Sequence, residues 1–216
     1  MSEQIKIAID AMGGENAPLK NLEGIDLFLK KNKNISDVIF QVYGNKKAIE
    51  EILKKKGINS NKIQVYNCSS VISDEETPLT AIKNSKDSSM WNSVNAQIVN
   101  KANISLSAGN TGVLFVISRM ILKTIDGVSK PALAGLWPNK KGMNVVLDLG
   151  ANIECDENNL VDFSEMGSAL YKSLFLNASP KVALLNIGSE EIKGTDSLKK
   201  ANSLLKEISK NGDFIY

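Results

Sequence analysis

Four glycine-containing turns stand where predicted strands run into helices, and they are the segments best suited to binding an anion. They read DAMGGENAP, SAGNTG, DLGAN and NIGSEEIKG. In the second turn, small residues from Ser107 to Gly112 precede an almost unbroken apolar run that ends at Leu122. Glycine lets a backbone approach a ligand closely, and the free N–H groups at a helix start attract negative charge. Together the turns predict an anion-binding edge, although a single turn of this kind is usually only punctuation between elements.

The absence of histidine narrows the chemistry further. The chain contains no histidine, which excludes Ser-His-Asp and Cys-His arrangements, H-E-x-x-H zinc sites and a histidine base. It also lacks the P-loop and G-x-G-x-x-G patterns. No metal and no cofactor are therefore expected. Cys68 and Cys155 lie far apart without a base to activate them, so we interpret both as small apolar side chains. For Trp91 and Trp137 the sequence indicates packing only.

The elements that position these turns alternate along the whole chain. Strand patterns cover residues 5–10, 37–44, 62–67, 103–107, 131–138, 143–150 and 181–188. Helical patterns cover 19–33, 46–57, 113–123, 160–176 and 197–210, with two short helices between 73 and 100, and Asn45 and Gly57 are the predicted ends of the second helix. This alternation predicts an α/β fold, a doubly wound, mostly parallel sheet in a three-layer α/β/α sandwich. Ligands bind such sheets at the carboxyl ends of the strands, where the turns lie.

The length and the charge of the chain indicate the broad class of protein to which it belongs. The 216 residues, 43% hydrophobic and 23% charged, are typical of a globular domain, and we predict one domain over 1–216. The net charge of +2 is spread along the chain, which argues against nucleic acid as a partner. The apolar tail NGDFIY resembles the start of another strand, so this domain is expected to be incomplete at its C-terminus. Without a leader or a long apolar run, the expected location is the cytoplasm.

Six sequence blocks occur in a fixed order along the chain. They are IAIDAMGGENAP, KDSSM, SAGNTG, IDG before KPALAG, LDLGAN and LLNIGSEEIKG. Together they resemble the PlsX-type phosphate acyltransferases over essentially the whole chain. The resemblance implies transfer of a long-chain acyl group from acyl carrier protein to inorganic phosphate, giving acyl phosphate for glycerophospholipid synthesis. It also implies a fold like that of phosphotransacetylases and isopropylmalate dehydrogenases, and a cytosolic homodimer that associates peripherally with the membrane surface.

The chain departs from that family's pattern at three places. Glu15 and Asn16 stand where an acid–histidine pair is common, so histidine is not required here. Lys83 replaces an arginine before KDSS, which exchanges a planar fork for a point charge. Family members also continue well beyond NGDFIY with a block of DGFTGN type, so the chain resembles an N-terminal part of such a protein.

Phosphate is itself a nucleophile near neutral pH, so the site needs positioning and charge stabilisation rather than a strong base. The residues assigned to phosphate in the second turn are Ser107, Gly109, Asn110, Thr111 and Gly112. Lys83 and Lys86 are expected to neutralise its charge, with Ser88 and Ser89 as further donors. At neighbouring strand ends we assign Asp10, Gly13, Gly14, Asp148, Asn152 and Gly188. Asn110, Lys83 and Asp10 are the predicted catalytic residues, whereas Asp148 has the alternative role of capping its own turn.

Two other functions stay open from the sequence. One is a phosphotransacetylase-like enzyme that uses acyl-CoA, and the other is an inactive piece that binds only phosphate or carrier protein. A nicotinamide-dependent decarboxylating dehydrogenase fits less well, because no metal-binding carboxylate cluster or cofactor signature is evident.

Overall fold

The computed structural model of the chain describes residues 4–58, 61–73, 75–176, 178–188, 190 and 193–216. The chain divides into two compact units, residues 1–123 and 124–216. Each unit has its own secondary structure and hydrogen bonds. A single domain over 1–216 stays a prediction.

The first unit is built on a four-stranded parallel sheet. Its strands are β1 (Ile5–Asp10), β2 (Val38–Gly44), β3 (Ile63–Asn67) and β4 (Ile104–Leu106), in the order β3-β2-β1-β4. Its helices are α1 (Leu19–Lys31), α2 (Lys46–Lys56), α3 (Pro78–Asn84), α4 (Ser89–Val99) and α5 (Thr111–Leu122). In the register of the sheet, Ile9 of β1 lies between Val42 of β2 and Leu106 of β4. The predicted mostly parallel α/β fold is confirmed.

Helices cover both faces of this sheet. On one face Ile9 and Val42 pack with Leu22 of α1 and Ile49 of α2, all in one buried cluster. The opposite face carries a smaller cluster in which Ala8 of β1 packs with Ala96 of α4. Strand residues of alternating parity therefore face different layers, which gives three layers in this unit.

The second helix begins and ends at the residues that the sequence predicts. Asn45 Oδ1 accepts the Ala48 N–H at 3.1 Å and caps the start of α2. Gly57 ends it with φ +65°, a left-handed conformation that favours glycine.

The second unit differs from the prediction in its strands. It contains β5 (Gly135–Asn139), β6 (Gly142–Val146), α6 (Glu157–Leu174), α7 (Asp196–Ile208) and a 3₁₀ turn, Ser209–Asn211. The prediction that β5 and β6 belong to the parallel sheet is wrong, because they form an antiparallel hairpin with each other. Only Lys140 and Lys141 connect them, and a parallel pair needs a much longer crossover.

The predicted strand over 181–188 is also wrong. In the described part of this segment only Lys181 pairs, forming a single parallel bridge with Ile215 of the apolar tail. Leu185 and Ile187 are each 88% exposed, so the apolar alternation is present without a surface to bury it. Trp137 of β5 is likewise 54% exposed rather than packed. Among the helices of the described ranges, none is long and apolar enough to cross a membrane.

Candidate active site

Two glycine loops meet at the carboxyl edge of the sheet, one after β1 and one after β4. A Cβ atom on Gly13 would lie 2.6 Å from Asp10 Oδ2 and 2.8 Å from the backbone nitrogen of Gly109. A Cβ atom on Gly14, whose φ is +89°, would lie 2.9 Å from Ala108 Cβ. Carbon atoms do not approach neighbours this closely, so both positions require glycine. The sequence-predicted Asp10, Gly13, Gly14 and Gly109 are thereby brought together.

A buried aspartate joins the two loops. Asp10 is 2% exposed, and its Oδ2 accepts the Ser107 hydroxyl proton at 2.7 Å. Its Oδ1 accepts the Met12 N–H at 3.2 Å, while Ser107 Oγ accepts the Gly109 N–H at 3.1 Å. Ser107 therefore gives its one proton to Asp10, and in this arrangement it shapes the turn rather than offering a hydrogen to an anion.

Asn110 caps the helix that follows the second loop. Its Oδ1 accepts the Val113 N–H at 3.1 Å at the start of α5. Its Nδ2 donates to the Glu76 carbonyl oxygen at 3.0 Å, which ties the turn to the segment before α3. Pro78 of α3 flanks the same turn, since a Cβ atom on Gly112 would lie 3.5 Å from Pro78 Cγ. Asn110 thus fixes the turn in place.

The start of α5 leaves backbone donors bare. Thr111 and Gly112 are exposed, and in the described chain their N–H groups have no hydrogen-bond acceptor. Val113 and Ile117 of the same helix are 0% exposed and anchor it among the residues packed around α4. A rigid helix start with free N–H groups is an anion-binding geometry. The assignment of Thr111 and Gly112 to phosphate stays a prediction.

Ser88 and Ser89 lie inside the unit at the start of α4. Ser88 is 0% exposed and its Oγ accepts the Trp91 N–H at 3.1 Å, whereas Ser89 is 1% exposed. The neighbouring Met90 supports the second loop, because a Cβ atom on Gly109 would lie 2.9 Å from Met90 Cε. Ser88 therefore caps α4 and Ser89 is buried beside it, and their assignment as phosphate donors stays a prediction.

Lys83 lies in the last turn of α3, and Lys86 lies in the connection between α3 and α4. Both side chains are exposed, and neither forms an ion pair with a carboxylate in the described ranges. An unpaired ammonium group on a short connection keeps its charge for a ligand. Their assignment to phosphate stays a prediction.

Asn21 was missed by the sequence analysis. From the first turn of α1 its Nδ2 donates to the Ala11 carbonyl at 2.9 Å and to the Gly13 carbonyl at 3.0 Å. The available sequence signal is an asparagine directly before Leu22, which is 0% exposed. This single amide nitrogen holds the loop after β1 against the helix.

The remaining predicted residues belong to the second unit. Asp148 Oδ1 accepts the N–H groups of Leu133 and Ala151, each at 3.2 Å. Its Oδ2 accepts the Asn152 N–H at 2.9 Å and the Asn152 Nδ2 at 3.0 Å. Asp148 therefore has the alternative role that the sequence allowed, capping its own turn. Gly188 lies elsewhere in that unit, where a Cβ atom would be 2.6 Å from Glu190 Oε2.

The two thiols are poor nucleophiles. Burial raises the pKa of Cys68 to about 11, and the negative charge of Asp10 adds to the effect. Burial also raises the pKa of Cys155, helped by the charge of Asp148. Both thiols are therefore protonated at neutral pH, and a thiolate mechanism gains no support.

Two solved structures share this fold. The fold is similar to that of the EutD phosphotransacetylase from Staphylococcus aureus, with a TM-score of 0.68 and 15% identity over 98% of this chain and 67% of that chain. A phosphotransacetylase from Streptococcus pyogenes gives a TM-score of 0.70 and 15% identity over 96% of this chain and 66% of that chain. At this identity the likeness shows the fold alone.

Curated relatives share a much higher sequence identity with the chain than these two solved structures do. The chain is 46% identical to a phosphate acyltransferase of Pelagibacter ubique over 99% of its own length and 62% of the relative's. It is 38% identical to one of Caulobacter vibrioides, covering 99% of this chain and 59% of that protein. The chain thus spans about 60% of the length of these curated relatives. A sequence model described as fatty acid synthesis protein matches residues 5–215. The chain belongs to this family of fatty acid synthesis proteins.

Proposed function

We propose that this chain carries the phosphate site of an enzyme that transfers a long-chain acyl group from acyl carrier protein to inorganic phosphate. The observation that carries the proposal is the bare start of α5, which follows the second of two glycine loops that meet at the carboxyl edge of the sheet. The relatives are named phosphate acyltransferase, and that activity agrees with an anion at this place.

Phosphate binds at the start of α5. The N–H groups of Thr111 and Gly112 and the Thr111 hydroxyl donate to its oxygens, and the positive end of the helix dipole adds to the attraction. Lys83 and Lys86 reduce the charge repulsion between the phosphate and an incoming polar substrate. Asp10 acts indirectly, since it holds Ser107 and through it Gly109.

The reaction needs no histidine. A phosphate oxygen attacks the thioester carbonyl carbon, a C–O bond forms, and the C–S bond then breaks. The carrier's sulfur leaves as a thiolate and takes up a proton from the attacking hydrogen phosphate or from water. Alignment of the two reactants can contribute up to about 7–11 kcal/mol, and one preorganised oxyanion donor about 3–4 kcal/mol. Both contributions come from fixed backbone rather than from a titrating base.

A phosphotransacetylase-like reaction on acyl-CoA is the second candidate. The two solved structures that share this fold carry the name phosphotransacetylase, and they support the candidate through the fold alone. Acyl carrier protein remains the preferred partner because the sequence relatives are named for acyl transfer to phosphate within a fatty acid synthesis family.

The setting of the reaction is proposed from family membership. We place the enzyme in the cytoplasm as a homodimer that associates peripherally with the membrane, where its acyl phosphate product is consumed. Sedimentation of the protein alone and with anionic phospholipid vesicles tests these two properties.

The deciding experiment measures phosphate-dependent loss of thioester from palmitoyl–acyl carrier protein, with palmitoyl-CoA in parallel. Formation of acyl phosphate from the carrier substrate alone supports the proposal, whereas equal or faster turnover of palmitoyl-CoA supports the second candidate. The Pelagibacter relative, assayed at its full length, is the matched control. If that relative is active and this chain binds phosphate without turnover, this chain is only a binding piece.

A further inference from the structure

One side chain outside the site controls the direction of two peptide groups within it. Asn21 Nδ2 donates to the carbonyl oxygens of Ala11 and Gly13, at 2.9 and 3.0 Å. Both contacts cross from α1 to the loop after β1. They are the two hydrogen bonds that an amide NH₂ group can donate, so this side chain is fully used on the loop.

The trans geometry of a peptide group converts these contacts into an orientation. In a trans peptide the C=O and the following N–H point in opposite directions, and neither peptide is among the cis bonds of this chain. The Ala11 carbonyl faces Asn21, and the N–H of the same peptide, on Met12, points to Asp10 Oδ1 at 3.2 Å. The two hydrogen bonds of the Ala11–Met12 peptide therefore lie on opposite sides, as a trans peptide requires.

The second peptide follows the same rule with a different result. The Gly13 carbonyl faces Asn21, so the Gly14 N–H points away from α1. In the described chain this N–H has no hydrogen-bond acceptor, and Gly14 is only partly buried. Gly14 also lies against the second loop, since a Cβ atom there would be 3.0 Å from the Ala108 carbonyl oxygen. A free donor thus stands between the two glycine loops.

We infer that Asn21 is a positioning residue that aims the Gly14 N–H at the bound phosphate. The inference rests on the proposed function, because it assigns a further donor to the same site. Asn21 touches neither phosphate nor thioester. When its amide is removed, the Gly13–Gly14 peptide is free to rotate and the donor loses its direction, so phosphate binds more weakly while the α5 donors are unchanged.

The test uses the full chain with inorganic phosphate as the probe. In ¹⁵N–¹H NMR titrations of the wild type, the Gly14 amide signal is expected to shift as phosphate binds. Asn21→Leu removes both hydrogen bonds at similar volume, and Asn21→Asp places a carboxylate oxygen against two carbonyls. Each is expected to weaken phosphate binding about tenfold, equal to ~1.4 kcal/mol, and to reduce the Gly14 shift. In the acyl phosphate assay the KM for phosphate rises, while the KM for the acyl carrier substrate stays unchanged.

Asn32→Asp is the matched control. Asn32 ends the same helix, and its Nδ2 also donates to a backbone carbonyl, that of Phe28 at 2.9 Å. Its phosphate affinity should equal that of the wild type. Unchanged affinity in both Asn21 variants, or an equal loss in the Asn32 variant, would overturn the positioning role alone. A wild type that fails to bind phosphate would instead overturn the proposed phosphate site, and the inference with it.

Discussion

Two turns of this molecule share a sequence pattern and differ in what they leave free. Asp10 and Asp148 each end an apolar run, and each is followed within a few residues by glycine. At Asp148 the carboxylate accepts four hydrogen bonds, two of them from backbone N–H groups of its own turn. At Asp10 it accepts two, from Met12 and from Ser107 of another strand end.

The two carboxylates differ in the donors from which they accept hydrogen bonds. Asp148 takes up the donors of the turn that follows it, so that turn is closed upon itself. Asp10 bonds across to Ser107 at the end of the neighbouring strand, and the N–H groups of Thr111 and Gly112 have no acceptor among the residues that the structure describes. The proposed phosphate site therefore lies beside the aspartate that bonds to another loop, and not beside the aspartate that closes its own turn.

Gly13→Ala is expected to have the largest effect. The added methyl group would lie 2.6 Å from Asp10 Oδ2 and 2.8 Å from the Gly109 nitrogen, so the two loops must separate. A displacement of about 1 Å can cost ~100-fold in rate, and we expect phosphate-dependent turnover to fall by about that factor. Gly24→Ala is the control, because a Cβ atom there meets nothing within 4 Å. In the interior of α1 it should raise the stability by up to ~1 kcal/mol. Wild-type turnover in the Gly13 variant would contradict a close contact between the loops.

Asp10→Asn and Asp148→Asn should separate activity from stability. Asp148→Asn loses acceptors for backbone N–H groups, so we expect about 2 kcal/mol less stability and a Tm lower by roughly 4–8 °C, with phosphate affinity retained. In Asp10→Asn the carboxamide keeps one acceptor, and the Ser107 hydroxyl can reverse its direction. We therefore expect a small change in Tm and about a tenfold loss in kcat/KM, or ~1.4 kcal/mol. Thermal unfolding and steady-state kinetics on both variants measure the contrast, and an equal pattern in the two would remove it.

The sequence is a good guide where structure depends on local chemistry. The β-prone runs IKIAID and DVIFQVYG predict β1 and β2 within one residue. Asn45 and Gly57 mark the ends of α2 by side-chain and backbone preferences alone. Strand pairing depends on more than the strand itself. β5 and β6 have suitable residues, yet their short connection makes them antiparallel. For 181–188, the apolar pattern cannot say whether a surface exists to cover it.

The site shows the same division. The glycine turns and the bare helix start are visible in the sequence because glycine and helix periodicity are local signals. The use of each donor is not, since Ser107 bonds to a residue 97 positions away and Asn110 to one 34 positions away. Asn21 escaped notice because its role depends on two carbonyl groups, and carbonyl directions have no sequence signature.

Asn110 variants test whether the second turn contributes to catalysis beyond its folding role. Asn110→Ala removes the cap on Val113 and the tie to Glu76, so we expect a loss of about 1 kcal/mol in stability. Asn110→Ser restores a capping oxygen but cannot reach as a donor to Glu76, so the part of the stability loss that comes from the cap should recover. Its turnover is expected to stay about fivefold below wild type, in line with the loss of one ~1 kcal/mol hydrogen bond. Denaturation and kinetics on both variants separate the effects, and full recovery of turnover in the serine variant would leave Asn110 only a capping residue.

The reactivity of each cysteine thiol depends on the charge of a nearby aspartate. Substitution of the cysteines themselves should affect function least. With a pKa of about 11 for Cys68, about one thiol in a thousand is ionised at pH 8, against about a quarter for a free thiol of pKa ~8.5. Alkylation of Cys68 by iodoacetamide should therefore be slow and should accelerate about tenfold per pH unit toward pH 11, whereas an unfolded thiol of pKa ~8.5 reaches its plateau at pH ~10.

Neighbouring charge then distinguishes the turns. Asp10→Asn removes a negative charge that raises the pKa of Cys68, so that thiol should react faster while Cys155 is unchanged. In Asp148→Asn the Cys155 thiol should react faster while Cys68 is unchanged, since the charge of Asp148 raises the pKa of Cys155. Peptide mass mapping of alkylation rates well below the Tm measures both thiols in one sample. Because burial is the larger cause at each cysteine, the accelerations should be modest. A general acceleration at both thiols in either variant would indicate loosening of the fold instead of a local charge effect.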